Sequence, residues 1–128
     1  MTRKTKADTV LIIEDDADIR TFASRVLELE GYRILQSETG EKGLRLAREK
    51  GVSLILLDLR LPGESGWTLL EKMKGAPETA AIPVIVFTAS VAASQHQRAL
   101  AMGAADYLTK PLSASALKNT VVGILRKR

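Results

Sequence analysis

The chain has 128 residues, 45% of them hydrophobic and 27% charged, which suits about one domain of roughly 100–200 residues and lies near globular averages. With no cysteine there is no disulfide, zinc-thiolate site or thiol nucleophile, so a metal would have to be held by oxygen. The net charge of +4 comes with basic clusters at Arg3, Lys4 and Lys6 and at Arg126, Lys127 and Arg128. Both are terminal and lack a recognition motif or aromatics to stack on bases, which points to solvated ends and not to nucleic-acid contact. No apolar run approaches the ~20 residues of a membrane helix, and the charged N-terminus has no signal-peptide core. A cytoplasmic protein without membrane contact is expected, with residues 1–8 as a basic tail and 9–128 as the folded domain.

Val10 to Ile13 is a compact apolar run without polar alternation, the pattern of a strand covered on both faces. Ile19, Phe22, Ala23, Val26 and Leu27 then follow helical spacing, and Gly31 stops the helix. The unit recurs: Tyr32 to Gln36, then a helix carrying Leu44 and Ala47; Leu54 to Leu57, then a helix with Leu69, Leu70 and Met73. Pro83 to Phe87 opens a fourth unit, whose helix runs from about Val91 to Met102 and is ended by Gly103. Asp106 to Thr109 reads as a short last strand before Pro111. A final helix presents Leu117, Val121, Ile124 and Leu125 on one face, with basic residues at its negative pole. Five strand-helix repeats with right-handed crossovers make a doubly wound α/β domain, a parallel sheet with helices on both faces. Pro62-Gly63-Glu64-Ser65-Gly66 and Gly75-Ala76-Pro77-Glu78 are the strong breaker clusters.

Polar residues end four of these strands: Glu14-Asp15-Asp16 the first, Asp58 the third, Thr88 the fourth and Lys110 the fifth. In a parallel sheet all carboxyl ends lie on one edge, so these groups would meet there. Two unit charges ~4 Å apart repel by about 4 kcal/mol at an effective dielectric of 20, so clustered carboxylates take up a proton or need a cation. An all-acid site without histidine or cysteine suits Mg²⁺, a hard ion that takes one or two carboxylates plus phosphate oxygens. The site suits a metal ion and a phosphoryl group.

The segments IIEDDADIR, LILLDLRLPGESGW, IPVIVFTAS and GAADYLTKPL together resemble the response-regulator receiver domain of two-component signalling, over residues 9 to 126. The resemblance implies a flavodoxin-like fold with strand order 2-1-3-4-5. It also implies Asp58 as phosphoacceptor, Glu14 and Asp15 as the acidic pair, and Thr88, Lys110 and Tyr107 as the hydroxyl, lysine and switch aromatic. Mg²⁺ would be held by Asp58, Asp15, Glu14 and the backbone carbonyl of Arg60. The partners implied are a sensor histidine kinase or histidine phosphotransfer protein as donor and a downstream protein as target. A phosphoryl oxygen on Asp58 would draw the Thr88 hydroxyl inward. Tyr107 would rotate into the vacated space and change the surface of the fourth helix, fifth strand and fifth helix. That surface could also support a weak dimer of an otherwise monomeric chain. The chain would be a switch and not an enzyme, apart from self-catalysed phosphorylation and autodephosphorylation.

Each residue has a plainer reading. The acids after Ile13 enrich the first turn of a helix, and Asp16 is expected to cap it. Thr88 could be a polar strand terminus, Lys110 a surface charge, Tyr107 a packed aromatic. Lys110 before Pro111 favours extended backbone and makes a cis bond a candidate. His96 reads as a surface or half-buried helix residue and Trp67 as an anchor of the third helix. Leu61 stands where the family often has Met. Arg60 and Ser90, two places beyond Asp58 and Thr88, flank the path of hydrolytic water and are candidates for tuning the phosphoryl lifetime. Rival functions fit less well. An aspartyl-nucleophile phosphatase carries a second Asp where Arg60 stands, and a flavin carrier needs a phosphate loop that does not follow Ile13. A non-phosphorylated binding module would not need the full set of acceptor, acids, hydroxyl and lysine.

Overall fold

The computed structural model describes residues 7–49, 51–90 and 92–127; most of the expected basic tail, and Arg128, lie outside them. Among the described residues, five strands alternate with five helices: β1 (Thr9–Ile13), α1 (Ala17–Glu28), β2 (Arg33–Ser37), α2 (Gly40–Glu49), β3 (Leu54–Asp58), α3 (Gly66–Gly75), β4 (Val84–Thr88), α4 (Ala93–Ala101), β5 (Asp106–Thr109) and α5 (Ala114–Lys127). All pairings are parallel, in the order β2-β1-β3-β4-β5, as the resemblance implies.

Side chains alternate across each strand, and the two faces bury different halves of the apolar set. Val10, Ile12, Leu54, Leu56, Ile85 and Phe87 pack under Ala23 and Leu27 of α1 and Leu117, Val121 and Leu125 of α5. Leu11, Ile13, Ile55, Leu57, Val84 and Val86 pack on the other face, beneath α2, α3 and Ala99 of α4. Each fully buried Leu or Ile stabilises by roughly 1.5–3 kcal/mol, so the three central strands are the most strongly held. Polar side chains at their ends therefore inherit rigid mounts.

The strand boundaries shift from the sequence expectation for local reasons. Tyr32 is not yet strand, because its N–H donates to Leu27 O at 3.3 Å in the turn that closes α1, a turn made by Gly31 at φ +91°. Pro83 has no N–H to give, so β4 starts at Val84, although Pro83 O accepts from Ile55 N at 2.9 Å. Asp58 and Thr88 are the last residues of their strands and not the first residues beyond them. α4 begins at Ala93, with Ala92 at its N-cap and no side chain capping it; Val91, the expected start, lies outside the described residues. The Lys110–Pro111 peptide bond is cis.

The strand order reverses at β1, whose neighbours β2 and β3 are reached by crossovers on opposite sides. Doubly wound sheets place their ligand crevice at the carboxyl end of such a point. In the β1-β3 register Ile13 lies beside Leu57, so one further step brings Glu14 beside Asp58.

Candidate functional site

Asp58 is 1% exposed and Glu14 fully buried, at adjacent ends of β3 and β1. Asp15, exposed on the loop that follows, completes a set of three carboxylates whose ligand oxygens lie within 4.8 Å of one another. Asp16 does what its position predicts: its Oδ1 accepts from Asp18 N at 2.9 Å and Ile19 N at 3.1 Å, capping α1. The Asp16 amide in turn donates to Glu14 Oε2 at 3.1 Å.

Lys110, just past β5, reaches across β4 into this cluster. Its Nζ lies 3.0 Å from Asp58 Oδ2 and 2.8 Å from Glu14 Oε1. The contact with Oε1 is an ion pair outside hydrogen-bonding geometry, and that buried oxygen accepts no hydrogen bond. The ammonium also stands 5.1 Å above the Phe87 ring. Asp58 Oδ1 is held from the other side by the Arg60 amide at 2.9 Å.

One ammonium does not balance the acids. Burial, and next the contact with the Asp58 carboxyl, push Glu14 up from 4.5 to about 7 against the opposing pull of Lys110. Burial works to lower the Lys110 pKa, but the Glu14 and Asp58 carboxylates outweigh it and hold the ammonium above its ordinary value. The pocket therefore has room for more positive charge. An all-oxygen set of this size fits a hard divalent cation such as Mg²⁺.

Thr88 is buried beside the acids at the end of β4, and its Oγ1 accepts a long bond of 3.5 Å from Ser90 N. Tyr107 of β5 is 8% exposed, with its hydroxyl donating to Ser90 O at 2.7 Å. Two contacts in this region had no signal in the sequence. The His96 ring stacks on Tyr107 at 4.4 Å and 15°, and the Arg98 guanidinium lies 4.2 Å over Trp67. Both tie α4 to its neighbours. Trp67 also lines a 420 Å³ recess with Leu59, Arg60, Thr88, Ser90 and Gln95, just past the ends of β3 and β4. Glu14, Asp15, Asp58 and Lys110 thus meet at one sheet edge. Thr88 ends the neighbouring strand and lines the adjoining recess with Arg60 and Ser90, and Tyr107 reaches that loop through Ser90 O.

Residues 10–122 match the model of the response regulator receiver domain. The chain belongs to that family. PhoB of Pseudomonas aeruginosa, a phosphate regulon transcriptional regulatory protein, is 36% identical over 119 residues, covering 93% of this chain and 52% of PhoB. The receiver thus spans about half the length of the first curated relatives it matches. A CheY-like receiver domain protein from Methanospirillum hungatei superposes with a TM-score of 0.87 at 27% identity, covering 95% of this chain and 96% of that one. The receiver domain of the Pseudomonas aeruginosa sensor histidine kinase PA1611 superposes with a TM-score of 0.85 at 25% identity, over 94% and 99% of the two chains. Its crystal structure holds a magnesium ion in the active-site cleft. No helix among the described residues of this receiver is long and apolar enough to cross a membrane.

Proposed function

We propose that Asp58 accepts a phosphoryl group from a sensor histidine kinase or histidine phosphotransfer protein, and that residues 9–128 act in the cytoplasm as a switch on a downstream protein, with residues 1–8 a basic tail. The observation that carries this reading is Asp58 itself: a buried carboxylate on a rigid strand end, gripped by Lys110 at 3.0 Å and ringed by two more acids. An oxygen of ionised Asp58 attacks phosphorus and forms the P–O bond of an acyl phosphate. The P–N bond to the donor's imidazole breaks, and the imidazole leaves with the electron pair. Lys110 neutralises charge that develops on the phosphoryl oxygens. Glu14, Asp15, Asp58 and the Arg60 carbonyl would hold Mg²⁺, which when bound supplies Lewis-acid charge neutralisation. The magnesium-bound relative supports the choice of ion.

Readout starts at Thr88. Its Oγ1 accepts only a long 3.5 Å bond from Ser90 N, which breaks when the hydroxyl turns to donate to a phosphoryl oxygen, and that turn moves the loop to which Tyr107 is tied through Ser90 O. The change then reaches the α4-β5-α5 surface. Moving a population from 1:99 to 99:1 needs ~5.5 kcal/mol, and charge-assisted hydrogen bonds at ~1.5–3 kcal/mol each supply much of that.

The test is incubation with acetyl phosphate and Mg²⁺ followed by intact mass spectrometry. Wild type should gain one phosphoryl mass that EDTA prevents, and Asp58→Asn should gain none. An equal adduct on Asp58→Asn would remove the acceptor assignment. Turnover of a generic phosphate ester would favour the phosphatase reading instead.

A further inference from the structure

Arg20 belongs to the first turn of α1, yet its side chain runs back to the end of β1. Nη1 donates to Glu14 O at 2.7 Å and Asp15 O at 3.1 Å, while Nε donates to Gln36 Oε1 at 3.3 Å on β2. Glu14 and Asp15 follow the last residue of β1, so their carbonyls lie past the strand and need other donors. A half-buried guanidinium supplies both bonds, and they are charge-assisted. Among the described residues Arg20 forms no ion pair with a carboxylate; each of its partners is a neutral oxygen.

We propose that Arg20 is a positioning residue that sets the cation affinity of the acidic pocket, by locking the main chain of Glu14 and Asp15 while their side chains converge on Asp58. This inference rests on the reading of Glu14, Asp15 and Asp58 as a Mg²⁺ site. Carboxylates brought within 4.8 Å of one another repel, and the loop that carries two of them would relax outward unless both peptide planes were held. Asp16 fixes the loop from the helix side by capping α1; Arg20 fixes it from the strand side. Its positive charge also lies along the backbone of the acid-rich loop, where it offsets the mutual repulsion without occupying the cation's place. Lysine cannot reproduce the arrangement, because its one nitrogen could at most replace Nη1 on the two carbonyls and leaves no second donor for the Gln36 amide oxygen.

Calorimetric titration with Mg²⁺ tests this, using wild type, Arg20→Ala, Arg20→Lys, Gln36→Ala and Asp58→Asn, with thermal melting of each in EDTA as the control for folding. Arg20→Ala should bind Mg²⁺ roughly tenfold or more weakly, the size of effect seen when a group that orients a ligand is removed. Arg20→Lys should fall between it and wild type, and Gln36→Ala should show a smaller loss. Unchanged Mg²⁺ affinity in Arg20→Ala overturns the proposal. So does a pattern in which Arg20→Lys recovers the EDTA melting temperature of wild type but the affinities do not track the number of bonds kept, since that marks a role in helix stability alone. If wild type binds no Mg²⁺, or Asp58→Asn binds it equally well, the acidic-pocket reading itself fails and this inference with it.

Discussion

The two oxygens of Asp58 are held by different kinds of group, Oδ1 by the Arg60 main chain and Oδ2 by the Lys110 ammonium. The main-chain contact needs no particular side chain at position 60, which leaves the exposed arginine available for another task. It lines the recess beside Thr88 together with Ser90, two places beyond Asp58, where it would shield a phosphoryl group on that carboxylate from water under the proposed function. Truncation to Arg60→Ala should therefore speed loss of the phosphoryl group severalfold, followed as decay of the phosphorylated mass after acetyl phosphate is removed. A decay that is unchanged or slower discards the shielding role. At this scale the sequence was readable where a residue's chemistry is its message: acids, hydroxyl and ammonium at strand ends. Arg20, His96 and Arg98 were not, because each acts through a partner that only tertiary packing supplies. Arg20 in a helix reads as a solvated cation until its Nη1 is seen donating to two carbonyls.

At the scale of elements, α3 is seated directly against the end of β3. A Cβ on Gly66 would come within 2.4 Å of Leu59 Cα and 2.6 Å of Asp58 O. Those are backbone atoms at and just past the end of β3 and cannot swing aside, unlike the Leu69 and Ile13 side-chain tips that face Gly40 and Gly43. Gly66→Ala should cost about 1–3 kcal/mol in urea unfolding, the range for overpacking, and should slow phosphorylation by displacing Asp58. A variant that unfolds like wild type would show that α3 can retreat from β3 at no cost. The glycine sits in the Pro62–Gly66 breaker cluster, so the sequence reads as a turn there; the close approach depends on how α3 lies on the sheet, which no local pattern encodes. The apolar blocks of the central strands were legible because both faces are covered. α4 was least so, since among its described residues Ala99 alone is buried and its hold on the domain comes from His96 and Arg98.

For the molecule as a whole, the concentration of acids on one sheet edge should make stability depend on pH and, through the proposed cation site, on metal. Glu14 in the folded state holds its proton up to about 7, against 4.5 for the ordinary carboxyl. The folded state thus binds this proton more tightly than the unfolded chain. Its contribution to stability is complete below pH 4.5 and is lost as pH rises through about 7. Urea unfolding in EDTA should show this decline in wild type and not in Glu14→Gln. Saturating Mg²⁺ should flatten it, because a cation bound only by the folded chain stabilises the ionised acids. The same slope in Glu14→Gln would assign the effect to another group. The fold and the meeting of Glu14, Asp15, Asp58 and Lys110 could be anticipated because parallel strands send every carboxyl end to one edge, and so could the repulsion among the acids. That Glu14 is the acid which takes up the proton could not, since it depends on its burial and on Lys110 being shared with Asp58. Trp67 is the chain's single indole, and it lines the recess with Arg60 and Thr88 while lying under a cation carried by α4. A shift of that helix on phosphorylation would change the electric field at the indole, so tryptophan emission with and without acetyl phosphate and Mg²⁺ should report the proposed switch without a label.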